Sequence, residues 1–465
     1  MFKEEYQKEM SEMRLSKEQT EKITELMTEV PVRKTHHAGR AVLAVALVCV
    51  ALAGSALAIS PTLRDTLAQK LGGFSSYAEV EEVSVVDQGI EVKVVSAMAD
   101  SAQIKIYAEV RDLKGDQLKD SNITINNDYD AIRHEISGEV VASFSSNCLG
   151  YDPESRTALF EFVRNGTVPT EDLSDLALVI SGFQPGDVMF TSADPLPVEL
   201  LGAETLRSRT LESGELVLEP GQTPAELPGA EPFSLSSMGF ASDGKLHFLF
   251  KLGAEADLEK SHIILTVYSK SDQANGTDDH AMVYNSSDRN SGQVLDVTFT
   301  LEGENYVDLV YGAQPEDLSD LILSEVYGRA VLAEPITGSW VLPLELERLP
   351  ELQIPLTGAI GPVQLKTMRI STLNVMIEGD TGDGVYVLSR YPCAVFLEDG
   401  TVLHLKNKQT GFSYRGEDDQ MHSFDHWAFT DPVDVTQVTG VAIGQWMIPI
   451  ENGEAGSGYW LEAVP

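Results

Sequence analysis

The feature that most constrains this chain is an uninterrupted apolar run near its N-terminus. Residues 41–59 read AVLAVALVCVALAGSALAI, which is 19 residues without a charged side chain. An α-helix rises about 1.5 Å per residue, so this run is roughly 28 Å long, close to the hydrocarbon thickness of a bilayer. The run therefore predicts a transmembrane helix that contacts the lipid bilayer and separates an N-terminal tail from a much longer C-terminal region.

The charges that flank the run predict its orientation. Arg33, Lys34 and Arg40 precede it, whereas Asp65 offsets one of the basic residues that follow it. Because basic residues are retained on the cytoplasmic side, we expect a single-pass protein of the cell membrane. Its N-terminus would be cytoplasmic and its C-terminal region extracytoplasmic.

A cleavable signal peptide is the alternative interpretation of the run. Ala56-Leu57-Ala58 resembles a signal-peptidase site. The 40 residues before the run are longer than the short basic segment that begins a signal peptide, and they have helical periodicity. This length favours a retained anchor.

The tail, residues 1–40, contains a predicted helix that begins at Ser16 and ends before Pro31. Ser16 is a good N-cap and Gln19 completes a capping box, whereas Pro31 cannot continue the helical hydrogen bonds. One face of this helix is apolar and consists of Ile23, Leu26, Met27 and Val30. A helix this short buries little alone, so this face is a candidate partner-binding surface. The alternative is a helical stub without a partner.

Charge narrows the range of partners. The chain has a formal net charge of −39, and the residues after Arg40 include 25 Lys and Arg against 64 Asp and Glu. Such a field repels nucleic acid and anionic lipid, so no nucleic-acid partner is expected. It is typical of an acidic protein that stays soluble on an exposed surface.

Beyond the run, the periodicity changes from helical to alternating. Residues 62–71 predict a short juxtamembrane helix, closed by Gly72 and Gly73 within a segment 60–78. From about Glu79 apolar and polar residues alternate. In residues 103–110 the polar partners of the alternation are Gln103, Lys105, Tyr107 and Glu109. This pattern predicts antiparallel strands with one buried face and one face in water.

An internal repeat predicts the organisation of the strands. PTEDLSDL at 169–176 recurs as PEDLSDL at 315–321 and, more loosely, as PVDVTQV at 432–438, and each copy precedes a predicted strand. We interpret the motif as a turn before an edge strand rather than as a binding motif. The spacing predicts three tandem immunoglobulin-like β-sandwich modules, at 79–205, 206–349 and 350–465. The predicted fold class is thus mainly β, preceded by one transmembrane helix and a helical tail.

No catalytic, cofactor-binding or metal-binding constellation emerges from the sequence, so an enzyme is not predicted. His422 and His426 flank Asp425 but lack a third ligand, and we expect a polar pair on a loop. Cys148 and Cys393 are far apart in sequence and are expected to act as small buried hydrophobic residues. The predicted cofactors are therefore none.

The order of segments resembles a known family. RLSKEQTEKITEL at 14–26 precedes the apolar run, which leads into SPTL at 60–63, LGGF at 71–74 and GIEVKV at 89–94. This organisation resembles a Gram-positive bacterial family of membrane-anchored proteins with a domain of unknown function, whose organisation is anti-sigma-factor-like. The resemblance implies that the tail binds a sigma factor and that the outer region senses an envelope condition. The tail lacks the Cys of the zinc-containing anti-sigma proteins, so Ile23, Leu26, Met27 and Val30 would form the binding face.

A second hypothesis treats the outer region as a membrane-anchored surface binding or adhesion protein. In that case the tail has no regulatory role and the β modules bind an extracellular ligand of unknown identity. The identity of whatever binds the tail separates the two hypotheses.

Overall fold

The computed structural model describes most of the chain after the apolar run. The described residues are 60–78, 83–125, 131–134, 140–142, 144–165, 173, 175–202, 204–269, 295–312, 321–382, 387–405, 409–415 and 420–461. The tail 1–40, with its predicted face of Ile23, Leu26, Met27 and Val30, and the run 41–59 lie outside these residues. Within the described ranges, no helix has both the length and the apolar character needed to cross a bilayer.

The predicted juxtamembrane helix is present as α1 (Pro61–Leu71), followed by a 3-10 turn η1 (Gly72–Ser76). Ser60 caps α1, since its Oγ accepts a hydrogen bond from the backbone N–H of Leu63 at 3.2 Å. Proline at the first helical position suits a residue that lacks an N–H, and Gly72 ends the helix with a φ of 50°. The local signals in the sequence thus explain both ends of α1.

The remainder of the described chain is mainly strand. The first strands in chain order are β1 (Ser84–Asp87), β2 (Ile90–Ala99), β3 (Gln103–Asp112), β4 (Ile123–Ile125), β5 (Ala131–His134), β6 (Val140–Ala142), β7 (Ser145–Asp152), β8 (Thr157–Asn165), β9 (Leu176–Pro185) and β10 (Asp187–Pro195). The next are β11 (Ser208–Thr210), β12 (Leu216–Leu218), β13 (Phe233–Phe240), β14 (Leu246–Leu252), β15 (His262–Ser269), β16 (Leu295–Leu301), β17 (Glu304–Tyr311), β18 (Leu321–Val331) and β19 (Ile336–Leu344), with a 3-10 turn η2 (Val198–Leu200) after β10.

The last strands are β20 (Glu351–Pro355), β21 (Ala359–Ile360), β22 (Val363–Ser371), β23 (Asn374–Gly382), β24 (Cys393–Leu397), β25 (Val402–Leu405), β26 (Gln409–Arg415), β27 (Met421–Ala428), β28 (Val438–Ile443), β29 (Trp446–Glu451), β30 (Glu454–Ala455) and β31 (Tyr459–Trp460), with a 3-10 turn η3 (Val435–Gln437) before β28. The strands predicted to follow the three repeat copies overlap β9, β18 and β28. The prediction of a mainly β protein with antiparallel sheets is confirmed.

Two sheets form the first β region. Sheet A has the order β1-β2-β3-β8-β7, and sheet B has the order β19-β9-β5-β6 with β4 paired to β9. Both sheets contribute side chains to one buried core, which includes Val92 and Phe160 from sheet A and Leu178 and Trp340 from sheet B. This arrangement is consistent with a β-sandwich.

The second β region also consists mainly of two sheets. Sheet C has the order β13-β14-β17-β16, and sheet D has the order β10-β18-β15. Their shared core includes Phe248 and Leu309 from sheet C and Leu265 and Val326 from sheet D. The hairpin of β11 and β12 covers the other face of sheet C through Val217 and Leu218, which pack with Leu249.

The strand pairing crosses the predicted module boundary at 205/206. β10 pairs with β18 of the second region, and β19 pairs with β9 of the first. Trp340 of β19 is buried in the first core, where its indole N–H donates to the carbonyl of Ile90 at 3.0 Å. The second region is therefore an insertion between two adjacent strands of sheet B. The repeat identifies where strands begin, but pairing between distant segments depends on side-chain packing that a repeat does not encode.

The third β region lies within Glu351–Trp460. Sheet E has the order β20-β22-β23-β27-β26 with β21 paired to β22, and sheet F has the order β25-β24-β28-β29-β30 with β31 paired to β29. Buried side chains on both sheets include Met368, Trp427, Val395 and Val441. Both sheets are antiparallel, like those of the other two regions.

Candidate functional site

The outer face of sheet A differs from the face that the sequence predicts. Gln103, Lys105, Tyr107 and Glu109 alternate with core residues along β3, and alternation predicts that they face water. Tyr107 is only 2% exposed and Glu109 only 8% exposed. The prediction of a wet face is wrong at these residues. At Gln103, Lys105 and Tyr107, the end of α1 and the third β region lie over this side of the sheet.

Helix α1 packs on sheet A through one apolar stripe. Leu63, Leu67 and Leu71 recur at every fourth residue and are buried, and Leu63 lies close to Gly150 of β7. After α1, the ring of Phe74 lies below the ammonium of Lys105, whose Nζ is 5.7 Å from the ring centroid. The C-terminal end of α1 is therefore held directly against β3.

The third β region approaches the same place from the other side. A Cβ atom on Gly73 would lie 2.6 Å from Cδ of Pro432, so this close approach of the backbone requires glycine. Phe424 of β27 packs with Met376 of β23 and with Ala102, which lies in the turn between β2 and β3. Three elements thus meet: sheet A, the end of α1 and sheet E.

A buried carboxylate in that turn joins the first and third regions. Asp100 accepts hydrogen bonds from the backbone N–H groups of Ala102 and Gln103, both at 2.7 Å. It also accepts them from the side chains of Ser371 at 2.5 Å and Asn374 at 2.6 Å in the third region. Burial raises the pKa of Asp100, although these hydrogen bonds act in the opposite direction. Such a fully bonded group fixes the position of the two regions.

A cavity of about 450 Å³ lies where the three elements meet, and we call it the junction pocket. This volume is within the range of small-molecule sites in proteins. Its lining comes from α1 and η1, from strands β2, β3 and β8 of sheet A, and from β27 with the residues after it. The lining residues are Lys70, Leu71, Phe74, Met98, Gln103, Lys105, Tyr107, Glu161, Val163, Asn165, His426, Ala428, Phe429 and Thr430.

The polar groups of sheet A in the pocket pair mainly across two strands. Tyr107 donates its hydroxyl hydrogen to Glu161 on β8 at 2.8 Å. Burial, followed by the charge of Glu161, raises the pKa of Tyr107, so the phenol stays protonated. Gln103 donates its amide to Asn165, whereas the side-chain oxygen of Gln103 has no partner among the described residues.

His426 is the most unusual group of the junction pocket. It is 2% exposed, and neither ring nitrogen has a hydrogen-bond partner within the described part of the chain. Burial, followed by the nearby charge of Lys105, lowers its pKa to about 4. A neutral imidazole has one donor and one acceptor, and leaving each unmet costs about 1–3 kcal/mol. The buried imidazole of His426 therefore lowers the stability of the fold, and its donor and acceptor are available to hydrogen-bond a ligand.

The two histidines singled out in the sequence have separate environments. The expectation of a loop-borne pair is wrong, because both His422 and His426 lie on strand β27. Side chains four residues apart on a strand lie about 13 Å apart, too far to bind one ligand atom. His422 pairs instead with Asp380, which accepts from its Nδ1 at 2.7 Å. Nothing in the sequence pattern alone indicates that His426 is buried, or that its ring nitrogens have no partner among the described residues.

Two further possibilities that the sequence raises are a metal site and a role for the cysteines. Across the described residues, no group of three or more His, Cys, Asp or Glu is positioned to bind a metal. Cys148 and Cys393 are free thiols; burial raises the pKa of Cys148 to about 11 and also raises that of Cys393. High thiol pKa values suit the predicted role as small hydrophobic residues.

No family model and no curated protein matches this chain. Among solved structures, the chain is similar to the crystal structure of the conserved domain protein from Bacillus anthracis, at 6% sequence identity and a TM-score of 0.30. The alignment covers 82% of this chain and 80% of that chain. A likeness at this level assigns neither a fold family nor a function.

Proposed function

We propose that this chain is a single-pass membrane protein that senses a small ligand outside the cell and passes the signal to its cytoplasmic tail. The observation that carries this proposal is the junction pocket, because one of its walls is the end of α1. Helix α1 begins at Pro61, directly after the apolar run 41–59 that is predicted to cross the membrane. Ligand binding in the pocket would therefore act on the element nearest to the membrane.

The physical basis of the proposed coupling is the position of α1. Its stripe of Leu63, Leu67 and Leu71 holds it on sheet A, and Phe74 and Gly73 contact elements on both sides of the pocket. A ligand that contacts these residues stabilises one arrangement of α1 relative to the others. The population therefore shifts toward the arrangement that binds the ligand more tightly. The proposal includes immunoglobulin-like folds for the three β regions of the sensing portion, with the second region inserted into the first rather than following it in tandem.

In the tail, the proposed partner is a sigma factor bound by the face of Ile23, Leu26, Met27 and Val30. This part of the proposal depends on the apolar stripe and on the resemblance to anti-sigma-factor-like proteins. The test is capture of sigma factors by the full-length chain in detergent. Leu26→Asp is expected to abolish capture, whereas Thr28→Asp, on the opposite side of the predicted helix, is expected to retain it. Capture that is unaffected by Leu26→Asp contradicts the proposed face.

The coupling is tested by a variant of α1 in the full-length protein in cells. Leu67→Asp buries a charge against sheet A and is expected to release the helix, which changes transcription from the promoters of the captured sigma factor. Gln69→Asp adds the same charge on the exposed side of α1 and is the control. Both variants must be present in the membrane at equal amounts. Unchanged transcription with Leu67→Asp contradicts signalling through α1.

A second candidate function is that of an anchored surface binding or adhesion protein. The observation in its favour is an exposed aromatic cluster at the edge of sheet F. Trp460 is 64% exposed and Tyr459 50% exposed, and the Trp460 ring lies 5.2 Å from that of Trp446. Exposed aromatic clusters mark binding surfaces more often than isolated apolar residues do.

The second candidate function predicts that the aromatic cluster determines attachment of cells. Trp460→Ala is expected to reduce adhesion of cells that display the chain to glycan-coated surfaces. Tyr327→Ala, which removes a side chain 39% exposed in the second region, is the matched control. Equal adhesion by all three proteins favours the sensor proposal instead.

A further inference from the structure

The chemistry of the junction pocket indicates which class of ligand it accepts, an inference that rests on the proposed function. The first indication is charge. Lys70 and Lys105 line the pocket against the single carboxylate of Glu161, so the lining is net positive in a chain whose formal net charge is −39. A positive pocket within a negative protein is a specific feature, and it favours an anion that the surrounding surface repels.

The carboxylate of Glu161 is already engaged within the protein. It accepts the hydroxyl hydrogen of Tyr107 at 2.8 Å, and the buried phenol is held on the same face of sheet A. The ammonium of Lys105 lies over the ring of Phe74, with Nζ 5.7 Å from the ring centroid, and its charge also acts on the nearby imidazole of His426. The positive potential is therefore centred where Lys105, Phe74 and His426 meet.

Hydrogen-bonding capacity is the second indication. Neutral His426 has one N–H donor and one nitrogen acceptor, and the side-chain oxygen of Gln103 is a further acceptor without a partner among the described residues. An inorganic anion without a hydrogen atom, such as chloride or sulfate, satisfies donors only. Meeting the two acceptors requires a ligand that also has an N–H or O–H group.

Apolar walls are the third indication. Leu71, Phe74, Met98 and Phe429 line the pocket beside the polar groups. They favour a ligand with a carbon skeleton over a fully hydrated ion. We propose that the junction pocket binds a small organic carboxylate that carries at least one N–H or O–H group.

The test is calorimetric titration of the full-length chain in detergent micelles. The probes are N-acetylglycine, lactate and pyroglutamate, each compared with its own primary amide, which has a similar shape without the negative charge. The carboxylate is expected to bind at least tenfold more tightly than its amide for at least one pair. Lys105→Gln is expected to remove this preference, and Lys260→Gln, which removes a lysine paired with Asp257 in the second region, is expected to keep it.

Three outcomes overturn the inference. The amides bind as tightly as the acids, Lys105→Gln leaves the preference unchanged, or none of the six probes binds to a chain whose thermal unfolding is normal. His426→Leu is the second variant, expected to weaken binding while the fold is retained. The Leu67→Asp transcription test uses no added ligand, so the signalling proposal fails or stands separately from the ligand class.

Discussion

Two buried histidines, one in the second β region and one in the junction pocket, differ in the hydrogen-bond partners of their ring nitrogens. His247 on β14 is fully buried, and both of its ring nitrogens have carboxylate partners: Asp308 at 2.9 Å and Asp243 at 3.4 Å. His426 on β27 is almost as buried, and neither ring nitrogen has a partner within the described ranges.

The difference separates a stabilising role from a binding role. Asp308 also accepts from the backbone N–H of Leu218 at 3.0 Å, so His247 belongs to a network that fixes the β11–β12 hairpin on sheet C. Hydrogen-bonded networks of this kind contribute to a unique packed structure, although Oδ1 of Asp308 has no partner among the described residues. His426 costs stability in the unliganded chain, and buried groups with this property concentrate at functional sites. Four predictions follow from the contrast, in decreasing order of effect.

The largest effect is expected where the hydrogen-bond network of His247 is broken at its centre, Asp308. Asp308→Leu leaves the N–H of Leu218 and the imidazole of His247 without their shared acceptor, and we expect a loss of about 4 kcal/mol in the free energy of unfolding. Asp243→Ala removes the long contact to His247 at the partly exposed end and an exposed hydrogen bond from the backbone N–H of Lys245, and it is expected to cost about 1–2 kcal/mol. Urea denaturation followed by tryptophan fluorescence measures both. Equal losses would show that Asp308 is not the centre of the network.

The two histidines are compared directly by the same substitution. His247→Leu leaves a buried carboxylate without its imidazole partner and is expected to cost about 3 kcal/mol. His426→Leu breaks no hydrogen bond within the described part of the chain and removes a buried polar group, so the protein is expected to be unchanged or more stable by up to about 2 kcal/mol. A large loss from His426→Leu in the urea experiment would refute the contrast.

Glu109 on β3 is a second buried polar group that lacks a hydrogen-bond partner for one of its atoms among the described residues. Burial is the main cause that raises its pKa to about 7. The folded state therefore binds more protons than the unfolded state between the ordinary carboxyl pKa and about 7, and stability falls as pH rises through this range. Glu109→Gln is expected to stabilise the chain by about 1–3 kcal/mol at pH 8, with no gain at pH 4. A gain that does not depend on pH contradicts this origin.

The smallest effect concerns Lys105 and His426. Because the charge of Lys105 is the second cause of the low pKa of His426, Lys105→Gln is expected to raise that pKa by less than about one unit. Titration of the imidazole resonances by NMR measures the shift, with Lys260→Gln as the distant control. A decrease in the His426 pKa would mean that the two side chains are not neighbours as described.

Local features were predicted well from the sequence, whereas the candidate site was not. Ser60, Pro61 and Gly72 determine the ends of α1 through nearby hydrogen bonds and backbone angles, and such signals are contained in a few consecutive residues. Alternation likewise predicted β2 and β3, and the repeat predicted where β9, β18 and β28 begin. These predictions depend on neighbours in the chain.

The junction pocket depends on residues that are hundreds of positions apart. Gln103 and Lys105 were expected in water because polar residues alternate with apolar ones along β3. Alternation shows that a strand has two faces, but it does not show which element covers the second face. The pairing of β19 with β9 could not be predicted for the same reason, because it depends on packing between segments that are far apart in the chain. His426 was recognised as a polar residue, but its burial results from contact between the first and third regions.

The central claim is that a ligand makes the hydrogen bonds of the His426 ring nitrogens, which have no partner among the residues that the structure describes. The most direct measurement is the pKa of the His426 imidazole in the full-length chain, by NMR, with and without the tightest-binding carboxylate probe. The account predicts a value of about 4 in the unliganded chain and a rise of more than about one unit when an anion binds beside the ring. A pKa that is the same with and without the bound carboxylate would contradict it.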